Sequence, residues 1–221
     1  MDLFEYLRND PYPGRGIAVG RYEGEPVIAY FIMGRSANSR NRIFAREEDR
    51  LFTKAYDESK VKDPSLIIYN AVRRSGEKTI VTNGDQTDTV YDFLAQGKTF
   101  DDALATREYE PDGPNWTPRI SALVAPDGSA RFSILKKADG ECVRTYWDYE
   151  GEDGKGHFIS TYDTDGDPLP SFSGDPIPFG ITGDLDAFGD ALWESLNEEN
   201  KVSLFVRFGD REKIYNKNLG D

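Results

Sequence analysis

Four polar clusters carry the residue types that chemistry on a polar, phosphorylated molecule requires, and each stands at the end of an apolar run. They are Gly34-Arg35-Ser36-Ala37-Asn38-Ser39-Arg40-Asn41-Arg42, Tyr69-Asn70, Thr82-Asn83-Gly84-Asp85-Gln86-Thr87-Asp88-Thr89, and Tyr109-Glu110 with Thr117-Pro118-Arg119. Guanidiniums offer forked donors to a phosphate or a carboxamide oxygen. A phenol can donate to a developing oxyanion, and a carboxylate near neutrality can move a proton. Residue types alone leave a second reading open at each cluster. The three arginines also suit a solvated basic loop paired with surface acids. Asn83-Gly84 also suits a tight turn with positive φ, with Thr87 or Asp88 capping the following helix. The functional version of that turn points free helix N-terminal amides at an anion. Tyr69-Asn70 and Tyr109-Glu110 also fit ordinary strand and loop positions.

The apolar pattern defines the elements that must hold these clusters. Residues 3–8 read as a short helix stopped by Asn9-Asp10-Pro11, and residues 16–21 and 26–33 as a β-hairpin around Tyr22-Glu23-Gly24-Glu25. The polar stretch 35–46 follows, then a strand near 50–55 and a charged loop over 57–63. Residues 66–72 read as a strand, with a turn at 75–78 leading into a strand at 79–81. Beyond Gly84 the period becomes helical, with Val90, Phe93 and Leu94 in register and Gly97 as a stop. A second helix is expected over 99–106, its acids Asp101 and Asp102 lying in the first turn where the helix dipole favours them. Residues 120–124, 130–135, 142–149 and 157–162 read as successive strands of a meander. Leu185, Phe188, Leu192 and Leu196 form one helical stripe, and 202–208 is read as the final strand. Strands in blocks, with helices in the middle and near the end, imply an α+β fold rather than a βαβ repeat.

The chain has 221 residues, of which 38% are hydrophobic, with 13 Phe, 12 Tyr and 3 Trp; that excludes the disordered class. The length suits one large domain or two small ones. The net charge of −13 argues against nucleic acid and against an anionic membrane surface as partners. A phosphate ligand would then need locally concentrated positive charge, and the Arg35, Arg40 and Arg42 cluster is the obvious place. The single cysteine, Cys142, rules out an intrachain disulfide and fits a reducing compartment. No apolar run approaches a membrane span. The short, acid-bearing N-terminus is unlike a signal peptide, so a cytoplasmic protein is expected.

Known cofactor signatures are absent: Gly14, Gly16 and Gly20 lack dinucleotide-binding spacing, and there is no Walker loop. The lone histidine, His157, has no local support for a catalytic triad and is read as structural or exposed. Asp163-Thr164-Asp165-Gly166-Asp167 begins like a calcium loop. Pro168 then stands where that loop needs glycine, and Gly174 replaces its bidentate glutamate. It is read as an acidic turn. Neither a metal nor a cofactor is expected.

The clusters in combination are more specific. Arg21 after Ile17-Ala18-Val19-Gly20, Ala29-Tyr30 leading to Gly34-Arg35-Ser36 and Arg40, and Ile68-Tyr69-Asn70-Ala71-Val72-Arg73 follow one another in order. Val81-Thr82-Asn83-Gly84 with Thr87-Asp88-Thr89, and Tyr109-Glu110 with Thr117-Pro118-Arg119-Ile120, complete the series. With these motifs the chain resembles the archaeal-type inosine monophosphate (IMP) cyclohydrolase family over roughly residues 14–135. The resemblance implies a four-layered α-β-β-α sandwich like that of N-terminal nucleophile hydrolases, forming a single domain over 1–221 with an N-terminal extension at 1–13. It also implies ring closure of 5-formamidoimidazole-4-carboxamide ribotide (FAICAR) to IMP, the last step of purine nucleotide synthesis. The implied catalytic residues are Arg40, Tyr69 and Glu110. The implied ligands for phosphate, ribose or base edges are Arg35, Asn70, Asn83, Asp88 and Arg119. Arg42 is the alternative to Arg40, which is preferred because it needs no gap from Arg35. Met1-Asp2 offers no Cys, Ser or Thr as the terminal nucleophile of that fold, which suits a reaction without a covalent intermediate. The implied partner is the nucleotide itself, and self-association is left open. The competing readings are a non-catalytic purine-nucleotide-binding paralogue and an amide hydrolase of the same fold. The second half of the chain shows no recognisable motif.

Overall fold

A computed structural model of the chain describes residues 1–61 and 67–220. The charged loop expected over 57–63 and the strand expected over 66–72 both reach into residues outside that range. The elements in chain order are α1 (Leu3–Asn9), β1 (Arg15–Tyr22), β2 (Glu25–Met33), α2 (Ala37–Arg40), β3 (Arg42–Glu47), β4 (Arg50–Ala55), β5 (Asn70–Ser75), β6 (Lys78–Thr82), α3 (Gln86–Ala95) and α4 (Phe100–Ala105). They continue with β7 (Arg119–Val124), β8 (Ala130–Ala138), β9 (Glu141–Tyr149), β10 (Lys155–Ser160), β11 (Ile177–Gly180), α5 (Leu185–Ser195), β12 (Lys201–Phe208) and β13 (Arg211–Asn216). The fold is α+β, with two antiparallel sheets. One sheet is ordered β11-β10-β1-β2-β12-β13 and the other β3-β4-β5-β6-β7-β8-β9.

Strand periodicity assigns each side chain its neighbour. Along β2, Ile28, Tyr30 and Ile32 join one apolar cluster, shared with Ala71, Val81, Ile120 and Phe132 of the other sheet. The alternate residues Val27, Ala29, Phe31 and Met33 join a second cluster with Leu3 and Leu7 of α1 and Phe188 and Leu192 of α5. A third cluster joins Ile80 and Leu135 to Val90 of α3 and to Phe100 and Leu104 of α4. Successive residues of a strand face opposite sides, so β2 is buried on both faces. Each fully buried aliphatic side chain there contributes on the order of 1.5–3 kcal/mol.

The expected hairpin is present: Tyr22 pairs with Glu25, and Glu23 (φ 50°) and Gly24 (φ 83°) form the turn. Two consecutive positive φ values are what a two-residue turn between twisted strands requires. Thr99 caps α4, exchanging hydrogen bonds with Asp102.

Several expectations are corrected. The polar stretch after β2 holds α2 and then strand β3. The strand expected over 66–72 begins only at Asn70 and runs on to Ser75 as β5; residues 67–69 lie outside it. The expected meander covers β7, β8 and β9, whereas β10 crosses to pair with β1 in the other sheet. Two further strands, β11 and β13, flank the first sheet. Asp85, rather than Thr87 or Asp88, is the first-turn neighbour of α3, and it makes no side-chain cap. Gly84 does not lie among the glycines of positive φ. It is required by close approach, because a Cβ there would sit 2.4 Å from Arg119 Nη1 and 2.6 Å from Gln86 Oε1.

Candidate functional site

The start of β1, the ends of β2 and β10, and the starts of β3, β5 and β7 all lie at one end of the two sheets, as the pairings Arg15 with Ile32, Gly16 with Ser160 and Asn70 with Phe52 require. This end gathers a buried ionisable cluster. The hydroxyls of Tyr30 and Tyr69 are 2.7 Å apart. Arg42 is fully buried; its Nε donates to the Ser39 carbonyl at 2.7 Å and its Nη2 to the Met33 carbonyl at 3.2 Å. Its Nη1 and the Nε of Arg15 are buried without a hydrogen-bond partner. Arg15 Nη2 lies 3.7 Å from Glu110 Oε2, and both side chains are largely buried.

Local structure fixes each group. Thr53 holds the Tyr69 backbone from both sides, accepting from its amide at 2.9 Å and donating amide to carbonyl at 2.9 Å. The reciprocal Ser36–Ser39 cap of α2 turns the chain so that Arg42 opens β3 facing inward. The Glu110 amide donates to the Thr117 carbonyl at 2.9 Å, closing the loop before β7. Thr117 Oγ1 meets the Tyr162 hydroxyl at 2.5 Å, which brings the end of β10 to the site.

Burial raises the Glu110 carboxyl above the ordinary glutamate range, although Arg15, Arg119 and Arg42 all favour its charged form. The 3.7 Å contact with Arg15 is too long for a tight ion pair, and the desolvation of a fully enclosed carboxyl outweighs it. Burial also lowers Arg42, whereas at Arg15 burial is the largest single influence but Glu110 together with Tyr162, Tyr69 and Tyr12 outweighs it and raises the guanidinium. Burial, together with the adjoining Tyr69, pushes the Tyr30 phenol well above its ordinary value, so it remains a proton donor.

The sequence-derived residues separate into groups. Tyr69 and Glu110 belong to the buried cluster. Arg40 does not: it is exposed, donating to the Gly34 carbonyl at 2.8 Å and to Asn200 Oδ1 at 2.9 Å. Arg42, two residues on, occupies the inward position. Arg119 flanks the cluster, held by the Glu108 carbonyl, Gln86 Oε1 and Asp85. Asn83 is a clamp between β6 and β7, bonded to the Pro118 carbonyl, Gln86 and the Ile120 amide. Asp88 accepts from Asn70 Nδ2 and from Arg73, whose guanidinium lies 3.5 Å over the Tyr91 ring. Asp88 and Tyr91 of that group belong to α3. Arg35 lies on the rim, paired with Asp165 and positioned over Tyr12, which in turn stacks on Tyr162. Sequence reading missed Arg15 and Tyr162 as site residues and quoted Tyr30 without a role. Its signal was the inward register of Tyr30 with Ile28 and Ile32. His157 lies in β10, stacked 3.5 Å from Tyr149. Among the described residues no group of three His, Cys, Asp or Glu side chains is placed to hold a metal ion, and no helix is long and apolar enough to cross a membrane.

Behind Tyr12, the nearly buried Asp10 accepts from the Tyr12 amide at 3.0 Å. Its carboxyl is pushed up to about 6, by burial and by Asp163 and Asp165, against the Tyr12 amide and Thr164. A raised folded-state value means the folded chain holds the proton that the unfolded chain has released, so the stability it confers at low pH is lost as pH rises through about 6. Asp10→Asn keeps the acceptor and stays neutral. It is expected to be more stable than the parent above that pH and to converge with it below about pH 4. Denaturant midpoints of both proteins on either side of the window check this; a constant difference across it would contradict the assignment.

Comparison with known proteins gives one family and a consistent set of relatives. The model of the family described as "IMP cyclohydrolase-like protein" matches residues 12–213. The IMP cyclohydrolase of Methanococcus maripaludis strain S2 is 31% identical over 157 residues, covering 69% of this chain and 75% of the relative. That of Methanopyrus kandleri is 32% identical over 182 residues, covering 73% and 89%. That of Halobacterium salinarum is 31% identical over 137 residues, covering 60% and 66%.

Proposed function

Because the chain belongs to the IMP cyclohydrolase-like family, we propose that it is an IMP cyclohydrolase whose reaction centre is the buried cluster of Arg15, Tyr30, Arg42, Tyr69 and Glu110. It closes FAICAR to IMP with release of water. The observation that carries the assignment to this cluster is the pair of unpartnered buried guanidinium nitrogens, Arg42 Nη1 and Arg15 Nε, beside a phenol and a carboxylate. Buried donors without partners are costly, and a carbonyl oxygen of a bound substrate would satisfy them. The three apolar clusters, helix to sheet, sheet to sheet and sheet to helix, support reading the single domain as the four-layered sandwich of N-terminal nucleophile hydrolases. A cytoplasmic location, a nucleotide partner and no membrane partner complete this reading.

In the ring closure the carboxamide nitrogen attacks the formyl carbon of the same molecule, so the protein must chiefly fold the two arms together. The formyl oxygen gains negative charge, becomes the hydroxyl of a carbinolamine and departs as water. Tyr69 and Arg42 donate to that oxygen. Glu110 takes one proton from the attacking nitrogen and passes it to the oxygen, giving the carbinolamine hydroxyl. It then takes the formamide N–H proton as the ring C=N bond forms and delivers it to that hydroxyl, which leaves as water, a task for which a raised carboxyl is suited. Arg15 compensates the Glu110 charge while the proton is in transit. Arg119 flanks the carboxylate, and Arg35 on the rim is placed for the phosphate. The same reading gives Asn83 a supporting role and leaves Asn70 and Asp88 outside the reacting centre. Conversion of FAICAR to IMP by the purified protein, followed by absorbance, tests the activity. Tight nucleotide binding without turnover would favour the non-catalytic paralogue.

Tyr30 is a positioning residue in this scheme. It donates to Tyr69 and leaves the Tyr69 proton free for the substrate oxygen. Tyr30→Phe should lower kcat by about tenfold, the worth of one neutral hydrogen bond, with little change in KM. An unchanged kcat would remove the role.

A further inference from the structure

The end of the sheets opposite Glu110 holds a further buried guanidinium, one with no use in the ring closure. Arg207 lies near the end of β12, is 5% exposed and points between the sheets, on the same face as Phe205. Its Nη2 donates to Thr79 Oγ1 at 2.6 Å, while its Nε is buried without a partner. The two acids that act on it, Glu212 and Asp210, are each paired elsewhere, with Arg46 and Arg74. Among the described residues Arg207 therefore has no carboxylate of its own. In a chain of net charge −13 that is the reverse of the surroundings expected for a purely structural arginine. Burial, reinforced by Arg74 and Arg46 and partly offset by Glu212 and Asp210, lowers its guanidinium to about 10.

A cavity of about 210 Å³ opens on this group, walled by Pro26, Val124 and Pro126, with Arg74, Arg207 and Thr79 as donors. Glu77 and Asp210 also border it, and Asp210 is engaged by Arg74. We propose that this cavity is a binding site for a small oxyanion, a phosphate or a low-molecular-weight carboxylate, held by Arg207 and Thr79 with Arg74 at the mouth. Buried charges are ordinarily paired, and a fork of N–H donors matches the geometry of either anion. The volume falls below the roughly 300 Å³ at which pockets begin to enclose drug-sized ligands, so the occupant is a small anion rather than a whole nucleotide. The site stands apart from the reaction centre and does not depend on its assignment.

Titration with phosphate and, separately, acetate against a chloride control of equal ionic strength reads the site through the amide resonances of Thr79, Arg207 and Gly209. Those of Tyr69 and Glu110 report the other end of the sheets. Saturable shifts at the first set are expected with at least one anion; phosphate or acetate alone identifies which class is held. Arg207→Met should weaken that binding by about tenfold or more, the loss of charge-assisted hydrogen bonds. Should that variant fail to fold, a selenate soak of wild-type crystals decides, with an anomalous peak beside Arg207 expected. Shifts that follow ionic strength alone, binding unchanged in Arg207→Met, or, where phosphate is the anion held, no selenate peak in the cavity would overturn the proposal.

Discussion

Glu110→Gln is expected to bind nucleotide much as the parent does and to lose about 10²–10⁴ in kcat, the usual worth of a positioned general acid–base. The amide keeps the volume of the carboxyl and the backbone bond to Thr117, which does not involve the side chain. What disappears is the capacity to accept the proton of the attacking nitrogen. The parent should also show an acidic limb in kcat. Because burial holds the Glu110 carboxyl above the ordinary range, that limb should lie above the usual value of about 4.3, and activity should rise with pH through it as the base form appears. The limb should be missing from the variant. Equilibrium binding and turnover measured on one preparation settle the matter. Weakened binding with unchanged saturated turnover would make Glu110 a ligand only.

The second large effect separates two arginines that sequence alone left as alternatives. Arg42→Met should lose about 10²–10³ in kcat, as the removal of an oxyanion donor does. Arg40→Met should fall within the small range of exposed polar contacts, under about 1 kcal/mol. The contrast follows from burial: Arg42 is fully enclosed beside Tyr69, whereas Arg40 is exposed against Gly34 and Asn200. Methionine retains the length and apolar stem, so folding measured by thermal unfolding serves as the control. A large loss confined to Arg40→Met would reverse the assignment and return the role to the residue that needed no gap.

The different surroundings of Arg40 and Arg42 show what sequence can carry. Spacing favoured Arg40 because it counts residues, but α2 turns the chain by a full helical turn between Ser36 and Arg42, and only the turn decides which guanidinium faces inward. Tyr69, named from the sequence, follows the apolar run ending at Ile68, whereas Glu110 follows the charged Arg107-Glu108 and was named only through the family motif; both lie in the buried cluster. Arg15 was not legible, since its partner Glu110 is distant in sequence and nothing local distinguishes it from the surface arginines. Tyr162 comes from the motif-poor second half and reaches the site only because β10 leaves the meander to join β1. Of the elements, the β1–β2 hairpin and α4 were legible because turn and cap chemistry is local. Strand β3, Arg-Ile-Phe-Ala-Arg-Glu, was hidden by its charges, which an edge strand tolerates. Strand β11 is short and contains Pro178, which likewise suits its place at a sheet edge.

The most direct measurement is the crystal structure of Glu110→Gln bound to IMP. The purine ring should lie against Tyr69, with Arg42 Nη1 or Tyr69 Oη contacting the carbon and nitrogen edge that closes in the reaction, and residue 110 within hydrogen-bond reach. A nucleotide seated instead against Asn70, Arg73 and Asp88, or contacted by Arg40 with the buried cluster untouched, would contradict the assignment.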